Sequence, residues 1–150
     1  MESMDLRPEP ARGHDLAPAL ELLSRSDLPE KGVAEAFGHY FVVHDDMQLV
    51  GLAGLEIHGE DGLLRSVVVE PGYRGQGLAT ALVDAAVERA RRLELRALYL
   101  LTTTARDYFG RRGFVDSPRE QAPEGIRDCW EFRSGCPTTS AFMKRVLSGS

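Results

Sequence analysis

The apolar positions of the first part of the chain follow a helical period. Three leucines of "DLAPALELLS" recur at the spacing of one helix face, and Asp15 is placed to cap that helix. A second, shorter helix is predicted to begin near Pro29 in "LPEKGVAEAF". A first strand is predicted over Met4 to Arg7, since Pro8 would stop it. The chain therefore opens as one strand and two helices.

The period then changes to that of strands. "YFVVHDDMQLVGLAGLEI" contains two β-rich runs separated by Asp45-Asp46, which predicts a hairpin. "GLLRSVVVEP" is the next strand, and its unbroken valines predict burial on both faces. A helix is predicted over 77–93, followed by a buried strand in "ALYLL". The last two strands flank a helix, so we expect them to be parallel with a right-handed crossover.

The C-terminal third alternates short helices and strands. Thr104 and Asp107 resemble a capping box, which predicts a helix over Ala105 to Arg112 that ends at Gly113. A strand in "GFV", a short helix starting near Pro123, and a strand in "SAFMKRVL" complete the order. We therefore expect one α/β domain spanning residues 1–150, with a central mixed sheet and helices on both faces.

Composition and charge argue against nucleic-acid and membrane partners. The formal net charge of −5 argues against a nucleic-acid surface, which needs a concentrated basic field. No apolar run reaches the ~20 residues of a membrane span, and the polar N-terminus does not resemble a signal peptide. We therefore expect a cytoplasmic protein with Cys129 and Cys136 as reduced thiols. The spacing of cysteines and histidines predicts no metal site.

The segment "YRGQGLATALV" predicts a glycine loop that leads into a helix. A helix N-terminus attracts anions, Gly75 and Gly77 would let a phosphate approach the backbone, and Arg74 adds a donor. A nucleotide P-loop is excluded, because it needs a lysine that this loop lacks. A dinucleotide fingerprint would need a third glycine where Thr80 stands. The alternative interpretation, a glycine turn that only begins a helix, is not excluded by these residues.

In its context, "VVVEPGYRGQGLATALV" resembles the acyl-CoA signature of the GNAT superfamily of N-acetyltransferases. The positions that carry this resemblance are Val69, Pro71, Arg74, Gly77 and Ala79, together with Gly113-Phe114. The resemblance covers about Leu6 to Leu147. It implies a mixed, mostly antiparallel sheet in which the parallel strands "SVVV" and "LYLL" splay apart.

The resemblance also implies acetyl-CoA as the co-substrate. Loop amides would hold the coenzyme pyrophosphate, and a strand would pair with the pantetheine arm. The implied pyrophosphate residues are Arg74, Gly75, Gln76, Gly77, Leu78, Ala79 and Thr80, and the implied strand is Val67, Val68 and Val69. Phe109 is counted with these coenzyme-binding residues. It stands where many members have a tyrosine acid.

Acetyl transfer to an amine needs a base, a donor to the thioester oxygen and a leaving thiolate. We expect the amide of Val68 to be the donor and Glu56, in "GLAGLEIHG", to be the base, directly or through water. The alternative for Glu56 is an exposed residue of an alternating strand. Tyr108 is the candidate acid, but it lies one residue, about 100° of helix, from the family position. A thiol of pKa about 8.5 can also leave without an acid.

The segments "GLLRSVVVEPGYRGQGLA", "YLLTTTA" and "EGIRDCWEFRSGCPTTSAFMKR" resemble the N-acetyltransferases found beside bacterial arsenic-resistance genes. That branch implies a small primary amine as acceptor, such as an arsenical or phosphinic amino acid. Arg65 and Arg127 are then candidates to bind its acidic groups, unless Arg65 forms a structural ion pair with an acid such as Asp61 or Glu70.

The two cysteines would bind arsenic only as thiolates, and buried thiols are commoner. A non-catalytic acyl-CoA-binding module and a protein N-acetyltransferase are the alternative functions. Proteins of this kind are commonly dimers, so a homodimer is also an expectation.

Overall fold

The computed structural model describes residues 6–135 and 140–147. The described strands are β1 Glu9–Pro10, β2 Tyr40–Asp45, β3 Gln48–His58, β4 Asp61–Val69, β5 Ala97–Thr102, β6 Val115–Asp116 and β7 Ala141–Val146. The described α-helices are α1 Leu16–Arg25, α2 Val33–Ala36, α3 Leu78–Arg92, α4 Arg106–Arg111 and α5 Glu124–Arg127, and Glu131–Gly135 form a π-helix. Within this described part, no helix is long and apolar enough to traverse a lipid bilayer.

The strands form one mixed sheet in the order β1-β2-β3-β4-β5-β7-β6. The sheet is mostly antiparallel, and its parallel pair is β4 with β5, where Gly62 pairs with Leu98 and Leu63 with Tyr99. The crossover between these two strands is α3. The predicted GNAT-type sheet, mostly antiparallel with a parallel strand pair and with helices on both sides, is therefore confirmed.

Contacts group the chain into two compact units, which β3 and β4 both enter. The first unit holds the described residues up to Leu55 and Ser66–Arg89. Its β2 strand alternates between two apolar clusters: Tyr40 and Val42 pack with α1 and α2, whereas Phe41 and Val43 pack with α3. Since successive strand residues point to opposite faces, helices cover both faces of this strand.

Close packing in the first unit depends on Gly54. A Cβ at this residue would overlap the ring of Tyr40, which is fully buried. Gly54 pairs directly with Tyr40 across the β2–β3 ladder, so the ring occupies the space that a side chain at Gly54 would need. The sequence "GLAGLEI" therefore carries a packing requirement as well as a strand pattern.

The second unit contains Glu56–Arg65 and the described residues from Ala90 onward. Its core joins β4, β5 and β7 to the segment around α5, with Ile126 fully buried at the centre. Gly125 lies against the backbone of His58, and a Cβ there would come within 3.1 Å of the His58 carbonyl oxygen. The C-terminal segment after β6 thus packs tightly on the end of β3.

Several local predictions are corrected by the structure. The first strand is Glu9–Pro10, paired with β2, whereas Leu6 to Pro8 form none; Met4 and Asp5 lie outside the described residues. The two-residue hairpin turn is Asp46-Met47, one position later than predicted. The predicted capping box of Thr104 and Asp107 is wrong, because the hydroxyl at the start of this helix is that of Thr102, whose Oγ1 accepts from the amide of Ala105 at 3.0 Å.

Candidate active site

The loop between β4 and α3 exposes bare backbone. After one 3-10 turn, Pro71–Tyr73, the chain passes through Gly75 and Gly77 and enters α3 at Leu78. Both glycines have left-handed backbone, with φ of +80° and +84°. Among the described residues, apart from the immediate chain neighbours, no atom lies within 4 Å of the position that a Cβ would take on either glycine. Glycine is thus required for the turn and leaves the backbone accessible.

The electrostatics of this loop suit an anion. The first N–H groups of an α-helix lack intrahelical partners and carry a partial positive charge, and α3 is 15 residues long. Residues 71–80 contain no acid. Arg74 is exposed, and its Nε donates to the Val69 carbonyl oxygen at 3.0 Å, which ties the loop to the end of β4. These groups fit the pyrophosphate of coenzyme A.

The second half of β4 is anchored at both ends. Ser66 has a left-handed φ of 61° inside the strand, and its Oγ lies 2.9 Å from the hydroxyl of Tyr40. Beyond it, the amide of Glu70 donates to the carbonyl oxygen of Val50 at 2.8 Å. The intervening Val67–Val69, predicted to pair with pantetheine, is therefore a short strand segment held between two fixed points.

In the second unit, four polar side chains form a buried cluster, which we call the Glu56 cluster: Glu56, His58, Arg65 and Glu131. Arg65 Nη1 lies 2.7 Å from Glu56 Oε2 and 2.5 Å from Glu131 Oε2. His58 Nε2 lies 2.9 Å from Glu56 Oε1. The side chains of Glu56, Arg65 and Glu131 are at most 11% exposed. Two residues predicted for different roles, Glu56 and Arg65, are thus ion-paired with each other.

The alternative interpretation of Glu56 as an exposed strand residue is wrong. Glu56 is buried, and its neighbour Ile57 is exposed instead. The acids considered as partners of Arg65 pair elsewhere, Asp61 with Arg96 at 2.9 Å and Glu70 with Arg25 at 2.8 Å. Arg65 is in a structural ion pair, as the alternative for that residue proposed, with Glu56 and Glu131 as its partners.

The pKa of Glu56 reflects this pairing. Burial alone would raise the pKa, but hydrogen bonds with His58, Glu131 and Arg65, together with the Arg65 charge, outweigh burial and lower the pKa to about 2. A carboxylate with so low a pKa is ionised at neutral pH but has little affinity for a proton.

Glu131 has the opposite shift and was not identified from the sequence. Burial, the hydrogen bond with Glu56 and the Glu56 charge raise the pKa of Glu131 to about 7, against the opposing effect of Arg65. The available signal was an acid between two aromatic residues, Trp130 and Phe132, in "CWEF". A charged residue with apolar neighbours on both sides is a candidate for burial, but its partners could not be read from the sequence.

The predicted acid and the family tyrosine position lie together on α4. Phe109 is buried and packs edge to face with Phe114, at 5.8 Å between ring centroids. Tyr108 is half-buried and packs edge to face with Phe109 at 5.1 Å. Phe109 is therefore part of the core of the second unit. The phenol group on α4 belongs to Tyr108.

The remaining candidates lie around α5. Arg127 is exposed at the C-terminal end of that helix. Cys129 is buried, and burial raises the pKa of its thiol to about 11, so it is protonated at neutral pH. Cys136 lies outside the described residues. Across 6–135 and 140–147, no three His, Cys, Asp or Glu side chains are grouped so as to hold a metal ion.

Curated relatives of this chain are amino-acid acetyltransferases. The chain is 28% identical over 97 residues to the amino-acid acetyltransferase of Actinobacillus pleuropneumoniae serotype 3, an alignment of 63% of this chain and 22% of the relative. It is 36% identical over 74 residues to that of Pseudomonas aeruginosa, covering 49% of this chain and 17% of the relative. The chain thus spans about a fifth of the length of the curated relatives it matches.

Solved structures with the same fold include several that contain coenzyme A. N-acetylglutamate synthase from Neisseria gonorrhoeae, complexed with coenzyme A and L-arginine, has a TM-score of 0.80 at 20% identity, over 95% of this chain and 33% of that one. Rv2747 from Mycobacterium tuberculosis, in complex with CoA and NLQ, has a TM-score of 0.79 at 23% identity, over 94% and 99%. The model of the Acetyltransferase (GNAT) family matches residues 5–114, and the chain belongs to that family.

Proposed function

We propose that the protein is an acetyl-CoA-dependent N-acetyltransferase that acts on the primary amine of a small amino acid. The observation that carries the proposal is the loop before α3, where Gly75 and Gly77 leave bare, left-handed backbone beside a helix N-terminus. This arrangement, in a chain of an acetyltransferase family, supports acetyl-CoA as the donor.

The coenzyme would bind along one continuous stretch of chain. The amides of Arg74 to Thr80 would hold the pyrophosphate, and the main chain of Val67–Val69 would pair with the pantetheine arm. The amide of Val68 is the proposed donor to the thioester oxygen as negative charge develops there. The anchored ends of this segment, at Ser66 and Glu70, support its role as a fixed template.

An ammonium group must lose a proton before it can attack the thioester. The Glu56 cluster is the proposed acceptor of that proton, because it places two carboxyl groups on one guanidinium. The thiolate of coenzyme A is a good leaving group, so Tyr108 has at most an assisting role.

An amino-acid acceptor is supported by the names of the curated relatives. Arg127, exposed at the end of α5, is the proposed partner of the acceptor's carboxylate, whereas the guanidinium of Arg65 already lies between two carboxyl groups. Within this class, the resemblance to the arsenic-resistance branch extends the proposal to arsenical and phosphinic amino acids. The protonated thiol of Cys129 does not favour a role in binding arsenic as a thiolate. The free thiol fits the proposed cytoplasmic location.

The proposal is tested by thiol release from acetyl-CoA with a panel of free amino acids, phosphinic and arsenical amino acids, and a peptide with a free N-terminus. Release that depends on one of the small acceptors is expected, with Arg127→Ala raising its KM. Tight coenzyme A binding without amine-dependent release would replace the proposal with an acyl-CoA-binding module. Release with the peptide alone would replace it with a protein N-acetyltransferase.

A further inference from the structure

The Glu56 cluster holds two carboxyl groups but only one permanent cation. Two carboxyl groups, Glu56 and Glu131, face a single guanidinium, that of Arg65, and all three side chains are buried. If both carboxyl groups were ionised, one negative charge would lack a cation in a poorly solvated site, unless His58 were protonated. Such a pair lowers its free energy by keeping one proton between the two groups.

The geometry identifies which carboxyl group holds the proton. Besides its hydrogen bond with Glu131, Glu56 has His58 Nε2 at one oxygen and Arg65 Nη1 at the other. The Oε2 atom of Glu131 lies 2.5 Å from Arg65 Nη1 but forms no hydrogen bond of normal geometry. The carboxylate with more hydrogen bonds is therefore Glu56, and Glu131 is the group that gains more from being protonated.

We propose that Glu56 and Glu131 form a pair that binds one proton, stored on Glu131, and that the fully ionised pair takes up the proton that the acceptor ammonium releases. The inference rests on the proposed N-acetyltransferase function and names the groups that carry its acid–base step. Glu131 acts through Glu56 in this account and is a positioning residue. The raised pKa of Glu131, about 7, and the lowered pKa of Glu56 agree with this division.

The proton balance of the reaction is then complete. The ammonium gives one proton to the carboxylate pair, and the amine attacks the thioester carbonyl. The C–N bond forms, the C–S bond breaks, and the second nitrogen proton goes to the departing thiolate. The proton on the pair leaves to solvent through His58, which is hydrogen-bonded to Glu56 and is 24% exposed.

The other titratable groups that face Glu131 do not compete for this role. Arg65 is a permanent cation, and Cys129, which interacts with Glu131 from the α5 side, keeps its proton because burial raises the thiol pKa. His58 faces Glu56 from the end of the same strand, β3.

The first test is a ¹³C NMR titration of protein labelled at the glutamate side-chain carboxyl carbon. One carboxyl resonance is expected to titrate near pH 7, and Glu131→Gln should remove it. Glu124→Gln, an exposed glutamate of α5, is the matched control and should leave that resonance in place. If every glutamate titrates near its ordinary value, the inference is overturned, whatever the activity of the enzyme.

The second test is the pH profile of kcat/KM with a competent amine. The wild type should show an acidic limb near pH 7, and Glu131→Gln should lose about 10²-fold and the limb with it, because no site remains to store the proton. An unchanged limb in Glu131→Gln would overturn the acid–base role. If the protein titrates as expected but releases no thiol with any acceptor, the proposed function is wrong. The catalytic use of the proton is then wrong as well, whereas proton binding by the Glu56–Glu131 pair is established.

Discussion

The guanidinium of Arg65 lies 2.7 Å from the carboxylate of Glu56, inside a buried cluster of the second unit. The hydrogen bonds of Glu56 with His58 and Glu131, together with this ion pair, favour the ionised form of Glu56 and remove most of the basicity that a lone buried glutamate would have. The proton chemistry therefore depends on a second carboxyl group, Glu131, that shares the same cation.

The stability of the second unit should depend on Arg65. Arg65→Met would leave two buried carboxyl groups without their cation, and the expected loss in the free energy of unfolding is about 3–5 kcal/mol. Urea denaturation at pH 7 measures it. Arg127→Met is the matched control, since Arg127 is exposed, and should change stability by less than about 0.5 kcal/mol. Equal effects of the two substitutions would contradict a buried ion cluster.

The free energy of unfolding should fall as pH rises from about 4.5 to about 7. The pKa of Glu131 is raised from its ordinary 4.5 to about 7, so the folded state binds more protons than the unfolded state in this window. Its stabilising contribution is full below the unfolded pKa and is lost as pH passes the folded pKa. The expected change is on the order of 2 kcal/mol. Urea denaturation at a series of pH values measures it.

Glu131→Gln should flatten this decline, whereas Glu124→Gln should retain it. Glu56 acts in the opposite direction: its pKa is lowered to about 2, so its contribution is present above its unfolded pKa and disappears as the medium is acidified below about 4.5. A decline between pH 4.5 and 7 that persists unchanged in Glu131→Gln would show that another group causes it.

Gly77→Ala should weaken coenzyme A binding more than it weakens the fold. The positive φ of Gly77 makes alanine cost about 1 kcal/mol, and the new methyl group would project from a backbone that a phosphate must approach. We expect a Kd at least about tenfold higher by calorimetry. Gly72→Ala, in open space without a positive φ, is the control and should bind like the wild type. If both variants bind equally, the loop is only a helix start.

Tyr108→Phe should retain most of the activity. A thiolate leaves without strong acid assistance, so we expect kcat to fall by less than about tenfold. Phe109, at the family tyrosine position, packs in the core and has no hydroxyl, so Tyr108 is the residue to substitute. A loss of 10²-fold or more in steady-state kcat for Tyr108→Phe would instead assign the phenol as the acid.

Much of the fold could be predicted because periodicity and turn residues act locally. The valines of β4, the apolar stripe of α3 and the glycine after α4 each specify an element without reference to distant chain. The errors arose where tertiary contacts decide. Glu9 and Pro10 become a strand only because they pair with Val42 and Phe41 across β2.

The candidate site divides in the same way. Gly75 and Gly77 could be identified because their spacing before a helix has a direct physical meaning. Glu131 could not, because its shifted pKa comes from Glu56 and Arg65, which are far away in sequence and reach it only in the folded chain.

The most direct test of the central claim is the fate of the acetyl group. The protein is incubated with acetyl-CoA carrying a ¹³C-labelled acetyl group and the amino-acid panel, and products are identified by NMR and mass spectrometry. We predict the label on the amino nitrogen of one or more small amino acids, with one coenzyme A thiol released per product. Label that stays on coenzyme A with every amine, while coenzyme A binds the Gly75–Gly77 loop, would contradict the account.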